Sequence, residues 1–229
     1  MSRIDFFLHR QFAQPNFAGQ WDETPDPHAI PATPAPEISV VMAAHNAGPL
    51  LDASIASVLA QSFGDFELIV VDDGSHDDSL TRLLDLAATD PRIRVLARPH
   101  GGLPLARNIG VGHARAPLLA FLNAGDLWAP QKLAWHIALH RDEPQLAGSH
   151  DQIGQIGAGA TSLAGATATP GTTSDLSHLV VRSDWFQHVG GFDTRRRRHE
   201  DKAFLARILS RRGRIASIDA LLTGCRGRA

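Results

Sequence analysis

The stretch FELIVVDDGS, residues 66–75, decides how this 229-residue chain folds. An apolar, β-rich run stops abruptly at two carboxylates, a glycine and a serine. The unbroken apolar run suits a strand buried on both faces, as in a parallel sheet. Asp-Gly-Ser is turn chemistry. Three neighbouring stretches share this form: ISVVMAA (38–44), which ends at His45-Asn46, IRVLAR (93–98), and PLLAFLNAGD (117–126).

Helical segments separate them. LLDASIASVLAQS (50–62) places Leu51, Ile55, Val58 and Leu59 on one face. DSLTRLLDLAAT (78–89) is a helix that either Asp77 or Asp78 can cap. GGLPLARNIGVGHA (101–114) reads as a Gly-rich loop and a helix, and APQKLAWHIALHRD (129–142) as a helix with proline in its first turn. Repeated strand–helix alternation predicts an α/β fold: a mostly parallel sheet flanked by helices, in one domain. Ligands of such sheets bind beyond the carboxyl ends of the strands. His45-Asn46, Asp72-Asp73 and residues 123–126 therefore converge on one crevice.

Residues 23–36, ETPDPHAIPATPAP, hold five prolines and read as an extended linker, so residues 1–36 form an arm and 37–229 the folded domain. The arm offers a route to a homodimer by exchange onto a neighbour. Residues 146–174 are small and almost uncharged, either weak strands around a loop or a flap. EDKAFLARILSRRG (200–213) is an amphipathic helix with Phe204, Leu205, Ile208 and Leu209 on one side, and RIASIDAL is a last strand. The formal net charge of −2 argues against a nucleic-acid partner. From Arg195 onward, however, 11 Lys/Arg face 3 Asp/Glu, which suits an anionic partner or a solvated basic face. A single cysteine, Cys225, excludes an internal disulfide and fits a reducing compartment. No apolar run approaches the roughly 18–20 residues of a membrane span, and the N-terminus lacks the pattern of a secretory signal. The expectation is a cytoplasmic protein, at most peripheral to the inner face of a membrane.

Four motifs, in order, carry a resemblance. They are ISVVMAAHN; SIASVLAQSFGDFELIVVDDGSHDDS; GGLPLARNIGVGHARAPLLAFLNAGDLWAPQKL; and VGGFDTRRRRHEDKAFLARIL. Over about residues 37–218 the chain resembles the family-2 glycosyltransferases of GT-A fold. The resemblance implies a nucleotide-diphosphate sugar as donor, a glycan or other hydroxyl acceptor, and inversion at the anomeric carbon. It also implies a divalent metal, held by an Asp-x-Asp motif on the diphosphate, and a carboxylate that deprotonates the acceptor.

Carried onto this sequence, the resemblance makes Asp201 the general base. It makes Asp73 a contact to the nucleotide base, the alternative being a turn carboxylate. His45 stands where a flat residue packs on the base, the alternative being a loop histidine. Arg107 pairs with a pocket carboxylate or reaches a phosphate, a structural salt bridge being the equal alternative. The metal motif departs from the pattern: its two aspartates are Asn123 and Gly125, and Asp126 after them reads as a cap for a helix starting at residue 127 or 128. Neutral Asn and side-chain-free Gly are poor ligands for Mg²⁺ or Mn²⁺, so no metal ligands are assigned. Arg195, Arg196, Arg197 and Arg198 directly precede Glu200-Asp201. Guanidinium groups bind phosphate bidentately, which suggests a metal-independent site with one or more of them on the diphosphate, against a solvated basic loop. His136 and His140, four apart on one helix, read as a solvent-facing pair. Two functions follow: an inverting glycosyltransferase, or a catalytically inactive GT-A domain that binds nucleotide, glycan or protein.

Overall fold

The structure is a computed structural model that describes residues 34–168, 176–196 and 199–226. The expected arm-mediated dimer, the start of the linker, and Arg197 and Arg198 lie outside the described residues. Strands β1 (Ile38–Ala44), β2 (Phe66–Asp72), β3 (Ile93–Ala97) and β4 (Leu118–Asn123) lie in the order β3-β2-β1-β4, all parallel. Every residue of β1, β2 and β4 is buried, as continuous apolar runs require when both faces are covered.

The two faces have separate cores. Val40, Met42, Leu68, Val70, Ala120 and Leu122 pack against α1 (Leu50–Leu59), α2 (Ser79–Thr89) and α4 (Lys132–Asp142). The alternate residues Val41, Ile69, Val71, Leu119 and Phe121 meet α3 (Leu103–Gly112), α5 (Ser183–His188) and α6 (Glu200–Ser210). On the second face Phe121, Phe186, Phe192 and Phe204 form a cluster of rings with centroids 4.8–5.9 Å apart.

The second half of the chain continues the sheet with mixed polarity. β8 (Leu179–Arg182) runs antiparallel to β4, then come β6 (Gly148–Ile156), β9 (Ile215–Arg226) and β5 (Leu127–Trp128); β7 (Thr167–Ala168) pairs with β6. The small-residue stretch thus supplies two strands, and the last strand is longer than expected. No described helix is long and apolar enough to cross a membrane.

Three local expectations are corrected. Residues 127–128 pair with Thr223 and Gly224 as strand, so the helix begins only at Lys132, and Asp126 does not cap it. Leu209 on α6 is 60% exposed, because only Phe204 and Ile208 turn fully inward. His136 and His140 are buried, not solvent-facing. They line up with Lys132 on the side of α4 that packs on β6, where Ser149 and Asp151 meet them. His136 bonds Ser149 Oγ at 2.7 Å and Asp151 Oδ2 at 3.0 Å, His140 bonds Ser149 Oγ at 3.0 Å, and Lys132 pairs with Asp151. Polar partners on both elements make the burial tolerable.

Candidate active site at the carboxyl edge of the sheet

The register sets Ala44 beside Asp72 and Ala43 beside Asn123, so the polar ends of β1, β2 and β4 form one edge. Backbone geometry shapes the turns there. Gly74 has φ +71°, and a Cβ on it would lie 2.5 Å from the backbone nitrogen of His100, so only glycine fits. Asn46, at φ 48°, closes the turn from the other side. Its amide donates to Ser75 Oγ at 2.9 Å, and its Oδ1 accepts from the His76 amide at 2.8 Å.

Asp73 is fully buried. Its carboxylate pairs with Arg98 and accepts the amides of Gly101 (3.1 Å) and Gly102 (2.7 Å), with His100 Nδ1 2.9 Å away. It therefore organises the loop that leads into α3. The rings of His45 and His100 stack at 4.2 Å, and both Nδ1 atoms lie about 3 Å from the Asp73 carbonyl oxygen (2.9 and 3.0 Å). His100 went unnoticed in sequence, where a histidine before Gly-Gly reads as an ordinary loop residue. His45, Asp73 and His100 bring ligand atoms within 4.8 Å of one another. The guanidinium of Arg98 on the same carboxylate opposes a cation there. Asp72 Oδ2 accepts from the Ser75 amide at 3.1 Å, while its buried Oδ1 has no hydrogen-bond partner among the described residues.

Arg107 joins the two halves of the site. It is buried on α3; one terminal nitrogen donates to Glu200 Oε1 at 2.7 Å and the other to Asn123 Oδ1 at 2.8 Å. The start of α6 is thereby held at the end of β4, and Asp201 comes with it. Asp201 Oδ1 accepts from the Lys202 amide at 2.8 Å. Asn108, next to Arg107, bonds both the carbonyl oxygen (2.8 Å) and the amide (2.9 Å) of Phe192, fixing the Gly-Gly-Phe turn that precedes α6.

At the end of β4, where the sequence reads as a substituted Asp-x-Asp, Asn123 Nδ2 donates to Asp126 Oδ2 at 3.2 Å. Asp126 also accepts from Ser177 Oγ (2.5 Å) and the Arg226 amide (3.2 Å), so its buried carboxylate ties β4 to the 3₁₀ turn at Leu176–His178 and to β9. Arg195 and Arg196 sit at the surface against Asp193, at 3.1 and 3.7 Å. Arg195 lines a groove of about 380 Å³ with His188, Arg207 and Arg211, none of which belongs to the edge formed by β1, β2 and β4.

Together these contacts give a Rossmann-like first half with the carboxylate-bearing start of α6 brought back to its carboxyl edge. The sequence model described as Glycosyl transferase family 2 matches residues 39–201, and the chain belongs to that family. UDP-Glc:alpha-D-GlcNAc-diphosphoundecaprenol beta-1,3-glucosyltransferase WfgD of Escherichia coli is 35% identical over 103 residues, 44% of this chain and 40% of the relative. The chain thus spans less than half of that relative's length. Among solved structures, TarS 1-349 of S. aureus in complex with UDP-GlcNAc superposes with a TM-score of 0.73 at 17% identity, over 84% of this chain and 59% of the other. The mannosyltransferase PcManGT from Pyrobaculum calidifontis, in complex with GDP-Man and Mn2+, superposes with a TM-score of 0.67 at 18% identity, over 92% and 61%. These likenesses establish the GT-A fold.

Proposed function

We propose that residues 37–229 form a glycosyltransferase domain that moves a sugar from a nucleoside-diphosphate donor to a hydroxyl acceptor, with inversion. The observation that carries this reading is the Arg107 bridge, which holds Glu200-Asp201 against the end of β4. In the reaction the acceptor oxygen bonds to the anomeric carbon as its proton passes to the Asp201 carboxylate. The bond from the anomeric carbon to the diphosphate oxygen breaks on the opposite face, and its electron pair leaves with the diphosphate. His45, stacked on His100, offers a flat surface for the base, while Asp73 shapes the adjoining loop. Arg107 serves as a structural bridge in this scheme.

The residues at the Asp-x-Asp position do not suit a divalent metal. Asn123 Oδ1 already faces a guanidinium, Gly125 brings no ligand, and the Asp126 carboxylate accepts protein donors from three directions. Hard cations are held by carboxylate oxygens, so we assign the reaction to a metal-independent route in which protein cations neutralise the leaving group.

The test is a transfer and donor-hydrolysis assay across UDP- and GDP-sugars, with Asp201→Asn beside the wild type. Loss of a general base lowers turnover by roughly 10²–10⁴-fold, with nucleotide affinity unchanged. Turnover that survives in Asp201→Asn removes Asp201 from the mechanism. A second reading, a binding module without turnover, is favoured by the Asp73 carboxylate being taken up by Arg98 and two loop amides. Nucleotide binding with no turnover on any donor selects it.

A further inference from the structure

Gly125 occupies the position read as the second aspartate of the metal motif, and the Arg226 side chain lies against it. A Cβ on Gly125 would lie 3.5 Å from Cδ and 3.8 Å from Nε of Arg226. Arg226 reaches this point from the carboxyl end of β9, since the antiparallel pairing of Leu127 with Gly224 carries the next residues of β9 alongside residues 125–126. Its guanidinium is held by three backbone carbonyls: Gly125 from Nε at 2.6 Å, Gly157 from Nη1 at 3.3 Å and Ala160 from Nη2 at 2.5 Å. Carbonyls fix the group without neutralising it, and no salt bridge to it forms among the described residues. A guanidinium has five N–H donors, so two remain, one on each terminal nitrogen.

We propose that Arg226 is the diphosphate-binding cation of this site, standing where the family places a metal ligand. The acidic ligand has become a glycine and a fixed positive charge has taken its place. Charge, position and remaining donors all match an anionic diphosphate at a strand end, and guanidinium is the side chain best suited to paired phosphate oxygens. By contrast, Arg195 and Arg196 each face the Asp193 carboxylate, which partly offsets their charge. This assignment rests on the donor reading above and names the residue that would make it metal-independent.

Calorimetric titration with UDP, GDP, uridine and guanosine tests it, in chelator and in excess Mn²⁺. Wild type is expected to bind one nucleoside diphosphate equally in both buffers, and inorganic pyrophosphate is expected to compete in chelator. Arg226→Met is expected to lose about tenfold or more in diphosphate affinity, a typical loss for a charged hydrogen bond, and to keep its affinity for the matching nucleoside. A merely structural role would weaken both ligands together. Arg226→Lys, with the charge retained, is expected to fall between. Arg226→Met at wild-type diphosphate affinity overturns the proposal, as does wild-type binding that requires Mn²⁺. Both outcomes leave sugar transfer from a nucleotide donor intact, and a Mn²⁺ requirement removes the metal-independent route as well. Failure of the wild type to bind either diphosphate overturns both. If Arg226→Met does not fold, the wild-type chelator and pyrophosphate arms decide.

Discussion

Arg107 shows how one side chain ties distant parts of the chain into a site. It reaches 16 residues forward to Asn123 and 93 forward to Glu200, and it is almost wholly buried. Removing one partner of a buried ion pair leaves the other charge uncompensated, typically at about 3–5 kcal/mol. Arg107→Met is therefore expected to lower the unfolding free energy by about 3 kcal/mol, read from urea denaturation. Arg107→Lys should recover little, because an ammonium lacks the fork that spans two acceptors. A loss under 1 kcal/mol in the Met variant would show that Glu200 is held at the crevice by something else. Asn123 and Gly125 were read in sequence as a substituted Asp-x-Asp. Their partners were not, because a salt bridge and its phosphate-binding alternative look the same until the distances are known.

Among the elements, α3 illustrates why the Ala-Arg-Asn-Ile-Gly run has its spacing. Arg107 faces the crevice, Asn108 the Phe192 turn, and Gly110 the sheet. A Cβ on Gly110 would come within 2.6 Å of Val41 Cγ1 and 3.3 Å of Val71 Cγ2. Alanine would gain up to about 1 kcal/mol in helix propensity, but overpacking costs about 1–3 kcal/mol. Gly110→Ala is expected to destabilise by about 1–2 kcal/mol, and Val41→Ala in the same chain should offset part of it. Strict additivity of the two changes in a double-mutant cycle would refute the clash. The parallel strands and their helices were legible because their signal is local: apolar runs, 3.6-residue periodicity and turn residues. The short strand β5 was not. Leu-Trp-Ala-Pro carries a plausible helix start, and only the pairing with β9 makes residues 127–128 a strand and turns Asp126 inward.

The molecule as a whole carries a titration at two histidines that read in sequence as solvent-facing. Burial, and then the charge of Lys132, push His136 down to about 4; burial and Arg182 do the same to His140. In the unfolded chain imidazoles protonate near pH 6.5. As pH falls from about 6.5 toward 4, the unfolded state binds protons that the native state refuses, so stability declines across that window and levels off below it. At 1.36 kcal/mol per unit, His136 alone contributes on the order of 3 kcal/mol to this loss. Thermal melts are expected to show a falling midpoint from pH 7 to pH 4.5, with a shallower fall in His136→Gln. An equal slope in that variant would exclude the buried histidine as its source. By itself the sequence determined the Rossmann-like half and the family, because each is written in residues close together in the chain. Only the tertiary structure decided that His136 and His140 are buried, that Asp126 ties strands together, and that Arg226 fills the place beside Gly125. The histidine contacts span 9 and 13 residues between α4 and β6, and the Asp126–Arg226 contact spans 100; all lie in the mixed half of the sheet, where local patterns do not say which neighbour a side chain will meet.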